Sequence, residues 1–302
     1  MLLVTERSAA ARNIGFAPKI HFVQLRPSRP TRALLLALVL VLPLGAGCST
    51  GRDPQDTGAA TPRAVRPPAA DAEFDYQLGG PYPPPRGVRA VSRDRTAKPV
   101  PGRYNVCYVN AFQAQPDETR TWQRRHPDLL LRDGDGRPVV DEDWDEPLFD
   151  ISTAAKRTAL MDIVGPWIDG CAEAGYDAVE PDNLDSYERA DGRLTAGDAA
   201  AFARLLARRA HQRRLAVAQK NTADLLPRRR SIGFDFAVVE ECARYEECGD
   251  FADAYDDRIF VIEYRAQDFA AACRTWGPRL SVTLRDRDLR PSGTKGYVDR
   301  HC

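Results

Sequence analysis

The sequence predicts an α/β fold, a (β/α)8 TIM barrel with shortened early crossovers. Eight short runs rich in Val, Ile, Phe and Tyr recur between residues 74 and 284, the composition of strands buried on both faces. Between the later runs lie segments with apolar residues at three-four spacing, as in helices packed on one side. The stretch from Glu73 onward is about 230 residues long, the size of one such barrel.

The strand runs are 74–78 (FDYQL), 87–92 (GVRAVS), 104–109 (YNVCYV), 176–180 (YDAVE), 215–219 (LAVAQ), 234–240 (FDFAVVE), 258–264 (RIFVIEY) and 280–284 (LSVTL). A helix is expected over 154–175, where Leu160, Ile163, Val164, Trp167, Ile168 and Cys171 share one stripe. A second, over 195–214, opens on Thr195 and Asp198 as a capping box and carries Phe202, Leu205, Leu206 and Ala210. Shorter helices are expected at 249–257 and 267–276. The beginning fits less well. Only eight residues, 79–86, separate the first two runs, and a parallel crossover takes about a dozen. Either the first helices are reduced to loops or the first two strands are misplaced.

Before the barrel, residues 1–32 are basic, and 33–44 (ALLLALVLVLPL) form an apolar run followed by GAGC. This is the layout of an export signal, and the run is too short for a bilayer, which takes about 20 residues. Residues 1–47 are read as a signal peptide, with lipidation at Cys48, although Gly45 stands where Leu is usual. The long stretch before Arg26 places the expected start downstream of Met1. Residues 48–72, rich in Pro, Ala, Thr and Gly, are read as a disordered tether, and 73–302 as the domain. The expected location is extracellular, or the outer face of a bacterial cell membrane reached only through a lipid anchor.

Residues 1–47 hold six Lys/Arg and one acid, so the remainder carries five net negative charges. That excludes the basic surface of a nucleic-acid binder and suits neutral or cationic partners. Six cysteines remain after Cys48: Cys107, Cys171, Cys242, Cys248, Cys273 and Cys302. In an oxidising compartment they make three disulfides, with fifteen pairings open. The preferred scheme pairs Cys242 with Cys248, six residues apart, and Cys273 with Cys302 to secure the C-terminus, leaving Cys107 with Cys171. No zinc-ligand spacing occurs, His126, His211 and His301 lie far apart, and no metal or cofactor is expected. A monomer is expected.

In such barrels the chemistry gathers at the C-terminal strand ends. Those ends read Gln77; Arg93 and Asp94; Tyr108 and Asn110; Glu180, Asp182 and Asn183; Lys220 and Asn221; Glu240 and Glu241; Glu263 and Tyr264; Arg285 and Asp286. One polar strand end often only caps the next helix. Carboxylates repeated on the fourth, sixth and seventh strands point instead to a shared polar pocket.

The segments GYDAVEPDNLDSY (175–187), LAVAQKN (215–221), FDFAVVEECARYEEC (234–248) and FVIEY (260–264) resemble glycoside hydrolase family 114, the endo-α-1,4-polygalactosaminidase family. FDYQLGG (74–80) and WDEPLFDI (144–151) fit the same pattern, so the resemblance spans about 75–302. It implies a TIM barrel, usually secreted, that hydrolyses α-1,4-linked galactosamine polymers. By motif, Asp182 and Glu240 match the proposed catalytic carboxylates. The second strand departs from the pattern in ending SRDR without a following helix.

The chemistry agrees with the residues. Glycoside hydrolysis takes one carboxylate as nucleophile or base and one carboxylic acid. Asp182 is expected as nucleophile and Glu240 as acid, with its pKa raised by the nearby Asp182. Lys220, between them, would keep one carboxylate ionised. Glu180, Asp185, Glu241 and Glu263 are candidates for binding sugar ammonium groups. Asn183, Asn221, Asp150, Tyr108 and Tyr264 complete the expected binding set, with Trp144 as a further stacking candidate. The alternative is a non-catalytic glycan-binding lipoprotein on the same barrel, which has no need of two acids facing one bond.

Overall fold

The structure, a computed structural model, describes residues 64–302. The expected signal, Cys48 and most of the expected tether lie outside the described residues. In chain order the elements are β1 (Phe74–Gln77), β2 (Ala90–Asp94), β3 (Tyr104–Asn110), α1 (Thr119–Arg125), β4 (Val140–Asp141), β5 (Glu146–Pro147), α2 (Ala154–Ala174), β6 (Ala178–Asp182), α3 (Ala196–Gln212), β7 (Ala216–Lys220), α4 (Arg229–Ile232), β8 (Phe236–Glu240), α5 (Cys242–Tyr245), α6 (Cys248–Tyr255), β9 (Ile259–Glu263), α7 (Ala266–Trp276), β10 (Ser281–Arg285) and β11 (Asp299–His301). Single 3-10 turns follow β6 (Ser186–Arg189) and β7 (Ala223–Arg228).

One sheet runs β1-β2-β3-β6-β7-β8-β9-β10-β11. Its first eight strands are parallel, and β11 lies antiparallel on β10. The sheet curls into the expected barrel, and all eight expected strands are present. Alternation sorts their side chains. Phe74, Tyr76, Phe236, Phe260 and Ile262 fill the interior, with Ala90, Ala178, Ala216 and Ala218 opposite them giving room. Phe74 stacks on Phe260 with ring centroids 4.1 Å apart. Odd-parity neighbours such as Val179, Val217, Val239 and Val261 face outward and pack under the helices.

The barrel closes through side chains. Thr283 Oγ1 donates to the Phe74 carbonyl at 2.8 Å, and Arg285, fully buried, donates to the Tyr76 carbonyl and meets Asp75. Strand β11 pairs with β10 beside this seam.

The helices follow their local signals. Thr195 and Asp198 form the reciprocal capping box of α3, and α2 starts on the Thr153 hydroxyl and stops at Gly175 in the left-handed region. The early crossovers are indeed loops, 78–89 and 95–103. Because β2 begins at Ala90, three residues later than expected, its loop reaches the dozen a parallel connection needs. A buried polar layer stands where a helix would cover β1 and β2. Tyr82 Oη and Gln77 Nε2 donate to Asp75, and Arg93 donates to Gln77 Oε1 and the Tyr82 carbonyl.

All three disulfides pair as preferred: Cys107–Cys171, Cys242–Cys248 and Cys273–Cys302. The tether boundary at 72 is corrected. Within 64–72, Val65 packs against the interior cluster, Pro68 and Ala72 are buried, and the Arg66 carbonyl accepts from Tyr104 Oη at 2.8 Å. Its prolines suit an extended cover over the N-terminal barrel opening, since they lower the entropy lost on ordering.

Candidate active site

Asp182, Lys220 and Glu240 are the last residues of β6, β7 and β8, and all three point inward. Each is followed by a left-handed residue: Asn183 at φ 66°, Asn221 at φ 45° and Glu241 at φ 55°. The chain therefore turns sharply right after each functional side chain, at a local cost of the kind that clusters in active sites.

Lys220 is buried at the centre. Its Nζ lies 3.1 Å from Asp182 Oδ2, 3.1 Å from Glu240 Oε2 and 3.5 Å from Glu180 Oε1, and donates to Tyr76 Oη at 3.0 Å. Burial works against this cation, but the three carboxylates win and raise its pKa well above the usual lysine range. The two outer carboxylates share one ammonium, so their nearest oxygens are separated by no more than about twice 3.1 Å.

Glu240 is the more tightly held of the pair. Asn221 Nδ2 donates to its Oε2 at 3.1 Å, Tyr264 Oη donates to its Oε1, and its own backbone N–H donates to Asn221 Oδ1 at 2.7 Å. Burial pushes its pKa up, yet Lys220 and these donors outweigh burial and leave it lowered. The expectation of a raised Glu240 is thus corrected, because the Lys220 ammonium 3.1 Å away and the Tyr264 and Asn221 donors together outweigh burial. Asp182 Oδ1 accepts the Asn183 backbone N–H at 2.7 Å. Beneath them, Glu180 is fully buried and accepts from Tyr76 at 2.7 Å and Ser92 at 2.8 Å. Burial, opposed by Lys220, raises it to about 7.

Two cavities open here, of about 360 and 450 Å3, and they share Glu240, Asn221, Tyr264, Trp144, Asp185 and Arg287. Tyr108 lines the first over Lys220, and Glu241 lines the second, ion-paired to Arg244 at 2.8 Å. Asp185 lines both and pairs with Arg189 at 2.9 Å. Trp144 and Tyr245 are the large apolar residues most exposed among those described, at 53% and 57%, and both stand on the cavity walls.

Three expected binding residues lie elsewhere. Glu180 is one layer down, because β6 continues two residues past it. Glu263 is buried on the outer side of β9, where it accepts the Ala243 N–H at 2.9 Å; its neighbour Tyr264 takes the inward place. Asp150 sits before α2, accepting from Ser152 N–H at 3.1 Å and meeting Lys156 at 3.5 Å, outside both cavities. Asn183 and Asn221 reach the first cavity but commit their side chains to protein partners. Sequence reasoning missed Tyr76, Ser92, Tyr245 and Glu146. Tyr76 lies inside its strand rather than at the end, and Ser92 ends the expected run but is interior in β2, which continues two residues further to Asp94. Glu146 lies in a segment singled out only for its family pattern.

An α/β barrel that gathers two carboxylates around one buried lysine at its C-terminal mouth, between polar cavities walled by aromatics, belongs to the glycoside-hydrolase class of barrels. The sequence profile of glycoside-hydrolase family GH114 matches residues 55–302, and the chain belongs to that family. Among solved structures it is similar to Ega3 of Aspergillus fumigatus in complex with galactosamine, at 24% identity and TM-score 0.63, covering 81% of this chain and all of that one. It is also similar to the glycoside hydrolase domain of PelA from Pseudomonas aeruginosa, at 17% identity and TM-score 0.51, covering 74% of this chain and 96% of that one. No curated protein matches.

Proposed function

We propose that this protein is an exported, retaining glycoside hydrolase that cleaves α-linked galactosamine-type polysaccharide, with Glu240 as nucleophile and Asp182 as acid/base. The observation that carries the reading is the Asp182–Lys220–Glu240 triplet at the mouth. Two carboxylates set on one ammonium have nearest oxygens no more than about twice 3.1 Å apart, short of the roughly 6.5–9.5 Å of inverting enzymes, which supports the retaining reading. The roles reverse the sequence expectation. Glu240 is held ionised by Lys220, Tyr264 and Asn221, so it suits attack on the anomeric carbon. Asp182 then protonates the leaving oxygen and later takes a proton from the water that releases the sugar.

The substrate class follows from the walls. Asp141, Asp143, Asp185, Glu188, Asp224 and Glu241 line the cavities, and Arg189 is already paired with Asp141 and Asp185. Such a surface favours sugars carrying ammonium groups over anionic ones. Trp144 and Tyr245 offer flat faces for sugar rings. The galactosamine bound by Ega3 supports the same class, and three disulfides support an oxidising compartment.

The test is incubation of the purified protein with α-1,4-linked galactosamine and N-acetylgalactosamine oligomers, read by mass spectrometry for length and by proton NMR for the new anomer. Shortened galactosamine oligomers with the α-anomer released first are expected. Binding of the oligomers without cleavage would favour the glycan-binding alternative.

A further inference from the structure

Glu146 opens β5 of the small hairpin between β3 and α2, and it lines the same cavity as Asp182. Its Oε2 accepts from Asn110 Nδ2 at 2.8 Å and, more weakly, from Asn183 Nδ2 at 3.5 Å. Asn183 Nδ2 also donates to Asn110 Oδ1 at 2.9 Å. The two amides and the carboxylate therefore form a closed triangle. Asn183 stands in the left-handed region, and its backbone N–H is the donor to Asp182 Oδ1. Orientation of that N–H depends on Asn183 staying where the triangle holds it.

We infer that Glu146 is a positioning residue for Asp182: it fixes the Asn110–Asn183 amide pair that aims the Asp182 carboxyl, and its charge is felt by that carboxyl. The inference rests on the assignment of Asp182 made above. The charged and titratable groups facing Glu146 are Asp182 from β6, Asp141 across the hairpin, Arg189 from the 3-10 turn and Tyr108 from β3. Burial raises Glu146 to about 7; the Asn110 hydrogen bond and Arg189 oppose it, and Asp182 and Asp141 add to it. Glu146 is thus neutral in mild acid and becomes an anion beside Asp182 as pH passes neutrality. The new charge stands in the same cavity as Asp182, so its appearance is felt at that carboxyl.

The experiment compares the full chain with Glu146→Gln and Glu146→Ala. Carboxyl 13C NMR titration, with Asp182 assigned through Asp182→Asn, reads the coupling without turnover. Wild type is expected to show an inflection near 7 at the Asp182 resonance, absent in Glu146→Gln, which keeps an acceptor for Asn110. In pH–rate profiles wild type should show an inflection near 7, set by Glu146, that Glu146→Gln lacks, with rates otherwise rescued relative to Glu146→Ala. Glu146→Ala, which frees the amides, should lose about 10-fold to 100-fold in kcat at every pH. A purely structural role would lower rates without removing that inflection. Identical Asp182 titrations in wild type and Glu146→Gln would overturn the inference. Turnover by Asp182→Asn would instead sink the site assignment, and the NMR arm keeps the two failures apart.

Discussion

Lys220 has no solvent to share its charge with, and three carboxylates and a tyrosine hydroxyl take the place of water around it. Replacing it with methionine keeps the bulk and leaves those carboxylates without a counter-charge. Removing one partner of a buried charge network costs about 3–5 kcal/mol. The loss in Lys220→Met should be larger at pH 8 than at pH 5, because in acid the stranded carboxylates take up protons. Urea unfolding at the two pH values measures it; equal losses would mean that the lysine acts by packing alone. The direct test of the pair is Asp182→Asn and Glu240→Gln. Each should cut kcat by roughly 10^3-fold or more with an unchanged circular dichroism spectrum. Glu241→Gln should be milder, since Glu241 faces Arg244 rather than the triplet. Asp182, Lys220 and Glu240 were legible because each ends an apolar run. What the sequence could not convey was depth. Glu180 and Asp182 differ by two residues on the same face, yet one lies under the lysine and the other lines the cavity.

Among the elements, α2, α3 and the eight barrel strands were readable from period and capping, since each is long enough to repeat its pattern. The β4–β5 hairpin has two-residue strands and β11 has three, too short for any period, and both form only because tertiary neighbours hold them. Glu146 was hidden for this reason. The disulfides link elements of very different separation: 64 residues for Cys107–Cys171, which ties β3 to α2, 29 for Cys273–Cys302, and 6 for Cys242–Cys248. In the chain-entropy picture these contribute about 4, about 4 and about 2 kcal/mol. The double serine variant of Cys107 and Cys171 should therefore lose more thermal stability than that of Cys242 and Cys248. The short bridge should matter more to turnover, because it spans the segment that follows Glu240 and carries Tyr245 on the cavity wall. Melting temperatures and kcat of the two variants decide this, and the reverse order of stability losses would refute the entropic ranking.

At the scale of the whole molecule the barrel is a container for ionisable groups, and this sets how its stability responds to pH. Composition gave no hint of it, since the net charge of the full sequence is zero. Burial raises Glu146, Glu180 and Glu263 from 4.5 to about 7 each. A carboxyl raised on folding binds its proton more tightly in the native state. Its stabilising contribution is complete below the unfolded value of 4.5 and is lost as pH climbs through 7. Glu240 and Asp299 are shifted the other way, lowered from 4.5 and 3.8, so their contribution fails only in stronger acid. The two sets place the stability maximum near pH 5 rather than at neutrality. Between pH 5 and pH 8 the melting temperature should fall by on the order of 5–10 °C. Glu263→Gln is the cleanest probe, because Glu263 is buried outside the barrel, touches neither cavity, and keeps only the Ala243 N–H as donor. A glutamine there accepts the same N–H and cannot titrate. Its melting temperature should match wild type near pH 5, exceed it at pH 8, and show a shallower slope between. Calorimetry across that range reads all three, and a wild-type melting temperature that rises from pH 5 to pH 8 would show that these carboxyls ionise freely inside the fold.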